Sequence, residues 1–341
     1  MSSAIDTRET LATSLPIDYN KRLMLFAGRA SPQLAVDIAG KLGVDLGPVT
    51  LKTFSNGEVY CRYEESIRGA DVFIVQSICG NPQTGVTAND SLMELLLMID
   101  AAVGASAHRV IAVTPWLGYS RQDKKSAPRE PISARLVARM LESAGADRVL
   151  TMDLHAGQIQ GFFSKPVDHM TALFMLTRYF ADLGLSDLVV VAPDAGRVKL
   201  NTKFASKIGA ELAILSKSRP AQEVAEIGYV IGDVKGKTAV IVDDMIDTAG
   251  TLKAAAHTVL EEGAARVYAA ATHAVLSGNA FENLADAGFE EIVVTDTIPI
   301  GPHLPGNVRV LPCAELLTDS IRRIFIDDSV SEVFGGENQL F

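Results

Sequence analysis

Short runs of β-branched and aliphatic residues recur along this chain, each followed by a loop and then by a stretch with helical spacing. The runs fall at 23–27, 72–76, 110–114, 149–152, 188–192, 212–215, 239–242, 267–271 and 292–295, with helical patterns such as 33–42, 132–144 and 252–262 between them. A proline stands near the start of the first two of these helices, where its missing N–H costs nothing. Parallel strands need long crossovers, and helices of this length supply them. The pattern predicts an α/β protein with doubly wound, mostly parallel sheets.

The chain also resembles itself. LMLFAGR at 23–29 leads to AGKLG at 39–43, and VVVAPDAGR at 189–197 leads to ASKIG at 205–209. GADVFIVQS at 69–77 matches GKTAVIVDD at 236–244, and GASAHRV at 104–110 matches GAARV at 263–267. Three matches in the same order predict a tandem duplication of one α/β domain. The length of 341 residues agrees with two domains. The expected division is a loose N-terminal extension at 1–20, a first domain at 21–165 and a second at 166–320. A C-terminal tail at 321–341 could pack back on the first domain.

Composition narrows the function. Lys and Arg number 31 against 41 Asp and Glu, a net charge of −10, which argues against a nucleic-acid binder with a broad basic face. The three cysteines, Cys61, Cys79 and Cys313, form no CxxC pair and suit a reducing compartment. No segment reaches the ~18 apolar residues of a membrane span, and the first 20 residues lack a signal-peptide core. The expected setting is the cytoplasm, with no membrane partner.

The sharpest motif is VIVDDMIDTAGT at 240–251, in which an apolar strand ends in two carboxylates and a small-residue turn opens a helix. A helix N-terminus attracts phosphate, and Thr248 and Thr251 add hydroxyl donors. Asp243 and Asp244 fall at the carboxyl end of a strand, where open α/β sheets place ligands, and can accept hydrogen bonds from a vicinal diol. Phosphate at one end and diol at the other describe a ribose phosphate. The equivalent first-half loop, QSICGNPQT at 76–84, lacks the acid pair. His155 (in TMDLHAGQIQGFF, 151–163) and Asp194 (in APDAGR, 192–197) also follow strands. GYSRQDKK at 118–125 is a local basic cluster, TFSNGE at 53–58 reads as a surface turn, and 216–236 reads as a long, weakly patterned loop of the kind that forms lids.

The acidic loop resembles the phosphoribosyl-pyrophosphate loop of type I phosphoribosyltransferase-like proteins. The other motifs narrow the resemblance to the ribose-phosphate pyrophosphokinase (phosphoribosyl pyrophosphate synthetase) family, over about 23–334. The resemblance implies that diphosphate passes from ATP to the anomeric hydroxyl of ribose 5-phosphate and that AMP leaves. It implies Mg2+ as cofactor, held in part by His155 and Asp194, with His155 also in the ATP site. Arg121 and Gln122 would contact the nucleotide, and Phe54, Asn56 and Glu58 would be contributed by a neighbouring subunit of a homo-oligomer, a hexamer in the family. Lys217 and Arg219 would close over the transferring phosphates as the catalytic cations. Asp243, Asp244, Asp247, Thr248, Ala249, Gly250 and Thr251 would bind ribose 5-phosphate.

SVSEVF at 329–334 resembles the family's regulatory segment, pointing to Ser329 and Ser331. The chain departs from the family pattern at Ser218, where a basic residue is common, at Gly196-Arg197, where two glycines are commoner, and at Val333, where Leu is usual. A phosphoribosyltransferase that consumes the product would share the acidic loop but needs no duplicated domain or separate nucleotide segment. A non-catalytic regulatory homologue would have lost some of His155, Asp194, Lys217 and Arg219, and all are present.

Overall fold

The computed structural model describes residues 21–221, 224–301 and 304–334, with side chains outside 217–228 and 334. The expected extension at 1–20 and the tail beyond 334 lie outside the described residues. The first half runs β1 (Leu23–Ala27), α1 (Pro32–Leu42), β2 (Val49–Thr53), β3 (Val59–Tyr63), β4 (Asp71–Val75), α2 (Ala88–Gly104), β5 (Arg109–Val113), α3 (Ser133–Ala144), β6 (Arg148–Met152) and β7 (Val167–Met170). The second runs α4 (Leu173–Asp182), β8 (Leu188–Ala192), α5 (Val198–Ile208), β9 (Glu211–Ala221), β10 (Val224–Ile231), β11 (Thr238–Ile246), α6 (Gly250–Glu261), β12 (Arg266–Ala274), α7 (Ala280–Ala285), β13 (Glu291–Thr295), β14 (Val308–Leu311) and α8 (Ala314–Phe325).

Two sheets result. One has the order β1-β4-β5-β6-β7 and the other β10-β9-β8-β11-β12-β13-β14, with all pairs parallel except β9 with β10. The run β8-β11-β12-β13-β14 repeats the first sheet strand for strand, and each copy carries an antiparallel hairpin between its first two sheet strands, β2–β3 or β9–β10. The duplication read in the sequence is therefore a duplication of topology.

Strand residues alternate between two faces. Leu25, Phe73 and Val75 of the first sheet and Val190, Val240 and Val293 of the second share one buried core, filled by α1, α4, α5 and α8. Val72, Ile74 and Val110 face α2 and α3 on the outer side of the first sheet. Val189, Val191 and Ile241 do the same for α6 and α7 on the second. Because both strand faces are covered, β4 is buried at every position, which is why it reads as an unbroken apolar run rather than an alternating one. Helix ends follow their residues: a Thr87/Asp90 capping box opens α2, and Gly43 at φ 73° closes α1. Glu94, inside α2 and fully buried, accepts hydrogen bonds from the Arg29 backbone N–H at 2.7 Å and Gln76 Nε2 at 2.9 Å.

Three expectations change. Residues 216–236 are not one long loop, because β9 and β10 pair through most of them. β9 pairs with β8 only from Glu211 to Ile214, and beyond that the hairpin has no third strand among the described residues. The first sheet ends after Met170 rather than near 165, since β7 pairs with β6. Residue 321 lies inside α8, which packs against α1 of the first half through Leu317, Ile321 and Ile324. Just beyond it, Asp327 binds Arg109 Nη1 at 2.7 Å and Lys21 Nζ at 2.5 Å.

Candidate active site

Three strands deliver the chemistry at their carboxyl ends. After β6 the chain turns sharply at Asp153, held at φ 32°. The turn is fixed by Asp153 Oδ2, which accepts from the Ala172 N–H at 2.8 Å and from Thr272 Oγ1 at 2.6 Å, and by the ring of His273, whose Nε2 donates to the Met152 carbonyl at 3.1 Å. Thr272 and His273 belong to the second sheet, so the loop carrying His155 is braced by the other half. After β8, Asp194 Oδ1 accepts from the Gly196 N–H at 2.9 Å and starts a 3-10 turn. β11 ends in Asp243 and Asp244.

Arg197 ties the three ends together. Its Nε lies 3.0 Å from Asp243 Oδ1 and its Nη2 2.6 Å from Asp244 Oδ1, while Nη1 donates to the His155 carbonyl at 3.1 Å. Asp244 Oδ2 stands 2.7 Å from His155 Nδ1. Arg197 Nη2 lies 2.9 Å from the same Nδ1, so this nitrogen sits between a donor and an acceptor. In the tautomer that donates from Nδ1 to Asp244 the lone pair is on Nε2, as when a carboxylate orients a metal-binding imidazole. Asp244 is 4 % exposed and Asp243 27 %. Burial works against ionising Asp244, but the His155 hydrogen bond and the Arg197 charge outweigh it and hold the carboxyl below its usual range. Burial and the adjacent Asp244 charge push Asp243 the other way.

Behind this cluster, His169 Nε2 accepts from the Leu154 N–H at 2.8 Å, and burial pushes its pKa from 6.5 down to about 4. His273, fully buried, is pushed down for the same reason. A histidine kept neutral in the native state destabilises it wherever the unfolded chain is protonated. Stability is therefore expected to hold above pH 6.5 and to fall as pH drops toward 4, by roughly 3 kcal/mol from His169. A Tm–pH profile checks this: His169→Gln, which keeps an acceptor for Leu154, is expected to flatten the decline, and an unchanged slope would contradict it.

The loop after β11 ends at Ala249, in the left-handed region at φ 60°, and α6 begins there without a side-chain cap. Its first N–H groups stay open to an anion. Asn283 Nδ2 donates to the Thr248 carbonyl at 2.8 Å and fixes the turn, while Thr248, Gly250 and Thr251 are exposed. Asp247 is bound by Ser277 Oγ and by Arg121, which reaches over from the first half.

A cavity of about 460 Å³ opens between the halves, lined by Arg121, His155, Asp194, Arg197, Asp243 and Asp244 among others. A second of about 190 Å³ shares these six and adds the 245–252 turn. The structure thus brings together Arg121, His155, Asp194, Asp243, Asp244, Asp247 and the Thr248–Thr251 turn. It does not bring in Gln122, which is bound by Ser133 at the start of α3. Phe54, Asn56 and Glu58 form the tip of the β2–β3 hairpin and line neither cavity. There, Phe54 is 43 % exposed and the Glu58 N–H donates to Asn56 Oδ1 at 3.2 Å. Lys217 and Arg219 fall on β9, with side chains outside the described residues. Ser329 and Ser331 pair with each other at 2.8 Å, just past α8. Among the described residues no three His, Cys, Asp or Glu gather into a metal cluster. Sequence reasoning missed Asp153, Thr272 and His273, whose types carry no signal alone, and it noted Arg197 only as a departure.

Two family models match the chain: the N-terminal domain of ribose phosphate pyrophosphokinase over residues 23–145, and the phosphoribosyl synthetase-associated domain over residues 213–335. A ribose-phosphate pyrophosphokinase of Nostoc sp. is 50% identical over 337 residues, covering 98% of this chain and 99% of that one. The chain belongs to the ribose-phosphate pyrophosphokinase family. A second relative with that name, from Gloeobacter violaceus, is 49% identical over 92% of this chain and 94% of its own. The crystal structure of phosphoribosylpyrophosphate synthetase from Mycobacterium smegmatis matches with a TM-score of 0.83 at 47% identity, covering 90% of this chain and 100% of that one. Family membership explains the doubled topology and the pairing of an acidic strand end with a phosphate-ready turn. No described helix is long and apolar enough to cross a membrane.

Proposed function

We propose that this enzyme transfers the β,γ-diphosphate of MgATP to the C1 hydroxyl of ribose 5-phosphate. The anomeric oxygen attacks the β-phosphorus, the bond from that phosphorus to the α,β-bridging oxygen breaks, and AMP leaves. The observation that carries the reading is one cavity lined by both halves, with Arg121 and His155 of the first half in contact with Asp247 and Asp244 of the Asp243–Thr251 loop. The 5-phosphate suits the open N–H groups of α6 with Thr248 and Thr251, and the ribose hydroxyls suit Asp243, which lines both cavities. Incubation with ATP, Mg2+ and ribose 5-phosphate tests the reading: AMP is the expected nucleotide product, and stoichiometric ADP would mark a simple kinase.

His155 Nε2 and the Asp194 carboxylate are a fitting pair for magnesium, one orienting group and one hard oxygen, with substrate phosphates completing the ion's shell. Bound there, Mg2+ would neutralise the transferring phosphates. Lys217 and Arg219 are the catalytic cations of this proposal, acting on charge that builds between the attacking oxygen and AMP. Positioning and electrostatics suffice, and no side chain is covalently modified.

The exposed tip with Phe54, Asn56 and Glu58 serves the adenine site of a second copy, in a homo-oligomer that family resemblance makes a hexamer. Ser329 and Ser331 belong to a regulatory segment, and the enzyme works in the cytoplasm. Complementation tests the shared site. Phe54→Ala and Lys217→Ala, each with little activity, are expected to regain partial activity when co-assembled, since some sites then hold both intact residues. No recovery in confirmed mixed oligomers would contradict it.

A further inference from the structure

The two copies use the ends of their first two sheet strands differently. In the second copy, Arg197 after β8 meets the acid pair at the end of β11. In the first, the matching ends carry Arg29 after β1 and Gln76 after β4, and both turn to a carboxylate from a helix. Glu94 of α2, fully buried, accepts from Arg29 Nε at 2.5 Å, from the Arg29 backbone N–H at 2.7 Å and from Gln76 Nε2 at 2.9 Å. Gln76 Oε1 accepts from the Ala30 N–H at 2.9 Å, and a Cβ on Gly28 would fall 2.2 Å from that oxygen, so the strand ends pack directly on each other. The loop equivalent to the acidic one grips the same backbone: Thr84 Oγ1 donates to the Arg29 carbonyl at 3.0 Å and Asn81 Nδ2 to the Ala30 carbonyl at 3.2 Å.

One arm of this cluster leaves it. Arg29 Nη1 donates to Thr53 Oγ1 at 3.0 Å, at the last residue of β2 and next to Phe54. Among the described residues, two side-chain hydrogen bonds join the β2–β3 hairpin to the body of the first half: this one beside the tip, and Tyr63 Oη to the Met98 carbonyl at 2.9 Å at the root. Within the tip, Phe54 meets Tyr60 edge-on at 5.7 Å and Lys52 Nζ stands 5.2 Å from the Phe54 ring. A two-stranded hairpin is marginal alone, so the aim of its tip depends on what holds it. We propose that Arg29 is a positioning residue for the ATP site: the copy that lacks the acid pair uses the same strand ends as an anchor that aims the hairpin carrying Phe54, Asn56 and Glu58. The inference rests on the reading that this tip serves the adenine site of a second copy. The Arg29 side chain is 21 % exposed and its Glu94 partner not at all, so the donor is fixed before nucleotide arrives and less ordering is left to binding.

Steady-state kinetics on the full-length protein tests the anchor. Thr53→Val removes the acceptor and leaves the Arg29–Glu94 pair intact, so it reports whether or not Arg29→Ala, which strands a buried carboxylate, folds. Each variant is expected to raise KM for ATP about three- to tenfold, the worth of one hydrogen bond, with kcat and KM for ribose 5-phosphate within about twofold of the parent. Thr53→Ser keeps the hydroxyl and is expected to stay parent-like. The double variant is expected to be no worse in KM for ATP than Arg29→Ala, because both changes break one contact. An unchanged KM for ATP in Thr53→Val would overturn the proposal, as would equal losses on both substrates, the mark of a general structural role. Phe54→Ala tests the underlying reading by itself. A parent-like KM for ATP there removes the tip from the nucleotide site, whereas a raised one beside a parent-like Thr53→Val overturns the anchor alone.

Discussion

Lys217→Ala and Arg219→Ala are each expected to lower kcat by about 10²–10³, with KM for ATP and ribose 5-phosphate within a few-fold of the parent. The reason is where the charge acts. A cation that meets charge developing between the attacking oxygen and AMP stabilises the transition state more than either ground state, so kcat and kcat/KM fall together. β9 runs past β8 after Ile214 and is then paired, among the described residues, with β10 alone, and a lone two-stranded hairpin is marginal by itself. Both residues lie on that projecting part, so in the proposed mechanism they would act through one placement of the hairpin. The double variant is therefore expected to fall well short of the summed losses. If the cations merely attract ATP, KM rises and kcat survives, and steady-state kinetics on the single variants distinguishes the two outcomes.

Asp244→Ala is expected to be the most destabilising change in the site, at about 2–3 kcal/mol, because it takes the nearer and more buried of two carboxylates from the Arg197 guanidinium and leaves His155 Nδ1 without its acceptor. Asp243→Ala behaves differently. Asp243 is a quarter exposed and Arg197 keeps its contact to Asp244, so the stability loss is smaller. Its effect appears in KM for ribose 5-phosphate, raised on the order of 10- to 100-fold with KM for ATP little changed. Urea unfolding of the two variants, alongside kinetics, is the check. Equal midpoints, or equal effects on both substrates, would contradict the division of labour between the neighbouring aspartates.

Much of the fold was legible because a covered parallel sheet writes itself as apolar runs. Each expected run lies within a strand or overruns its carboxyl end by one residue. β7 was missed because Val167–Met170 is four residues long and includes Asp168 and His169, paired there with Arg148 and with the Leu154 N–H. β2 and β3 were missed because they form a separate hairpin with exposed positions and no continuous apolar signature. The 216–236 segment looked like a loop because β9 carries the polar and breaking residues Lys217, Ser218, Arg219 and Pro220 in place of an apolar run.

The acidic loop of the site was legible for a different reason: strand end, acid pair and helix start are contiguous in sequence. The Arg197 clamp was not. It depends on a side chain from the end of β8 crossing to β11 and back to the loop after β6, and no spacing encodes that. The bracing of Asp153 by Thr272 crosses between the halves in the same way.

The central claim is that diphosphate moves as a unit from one substrate to the other, and the fate of the β-phosphorus tests it most directly. With ATP labelled at the β-phosphorus, ribose 5-phosphate and Mg2+, the account predicts that label leaves the nucleotide and appears on the sugar at the rate AMP forms. Label remaining on the nucleotide while ADP accumulates would contradict it.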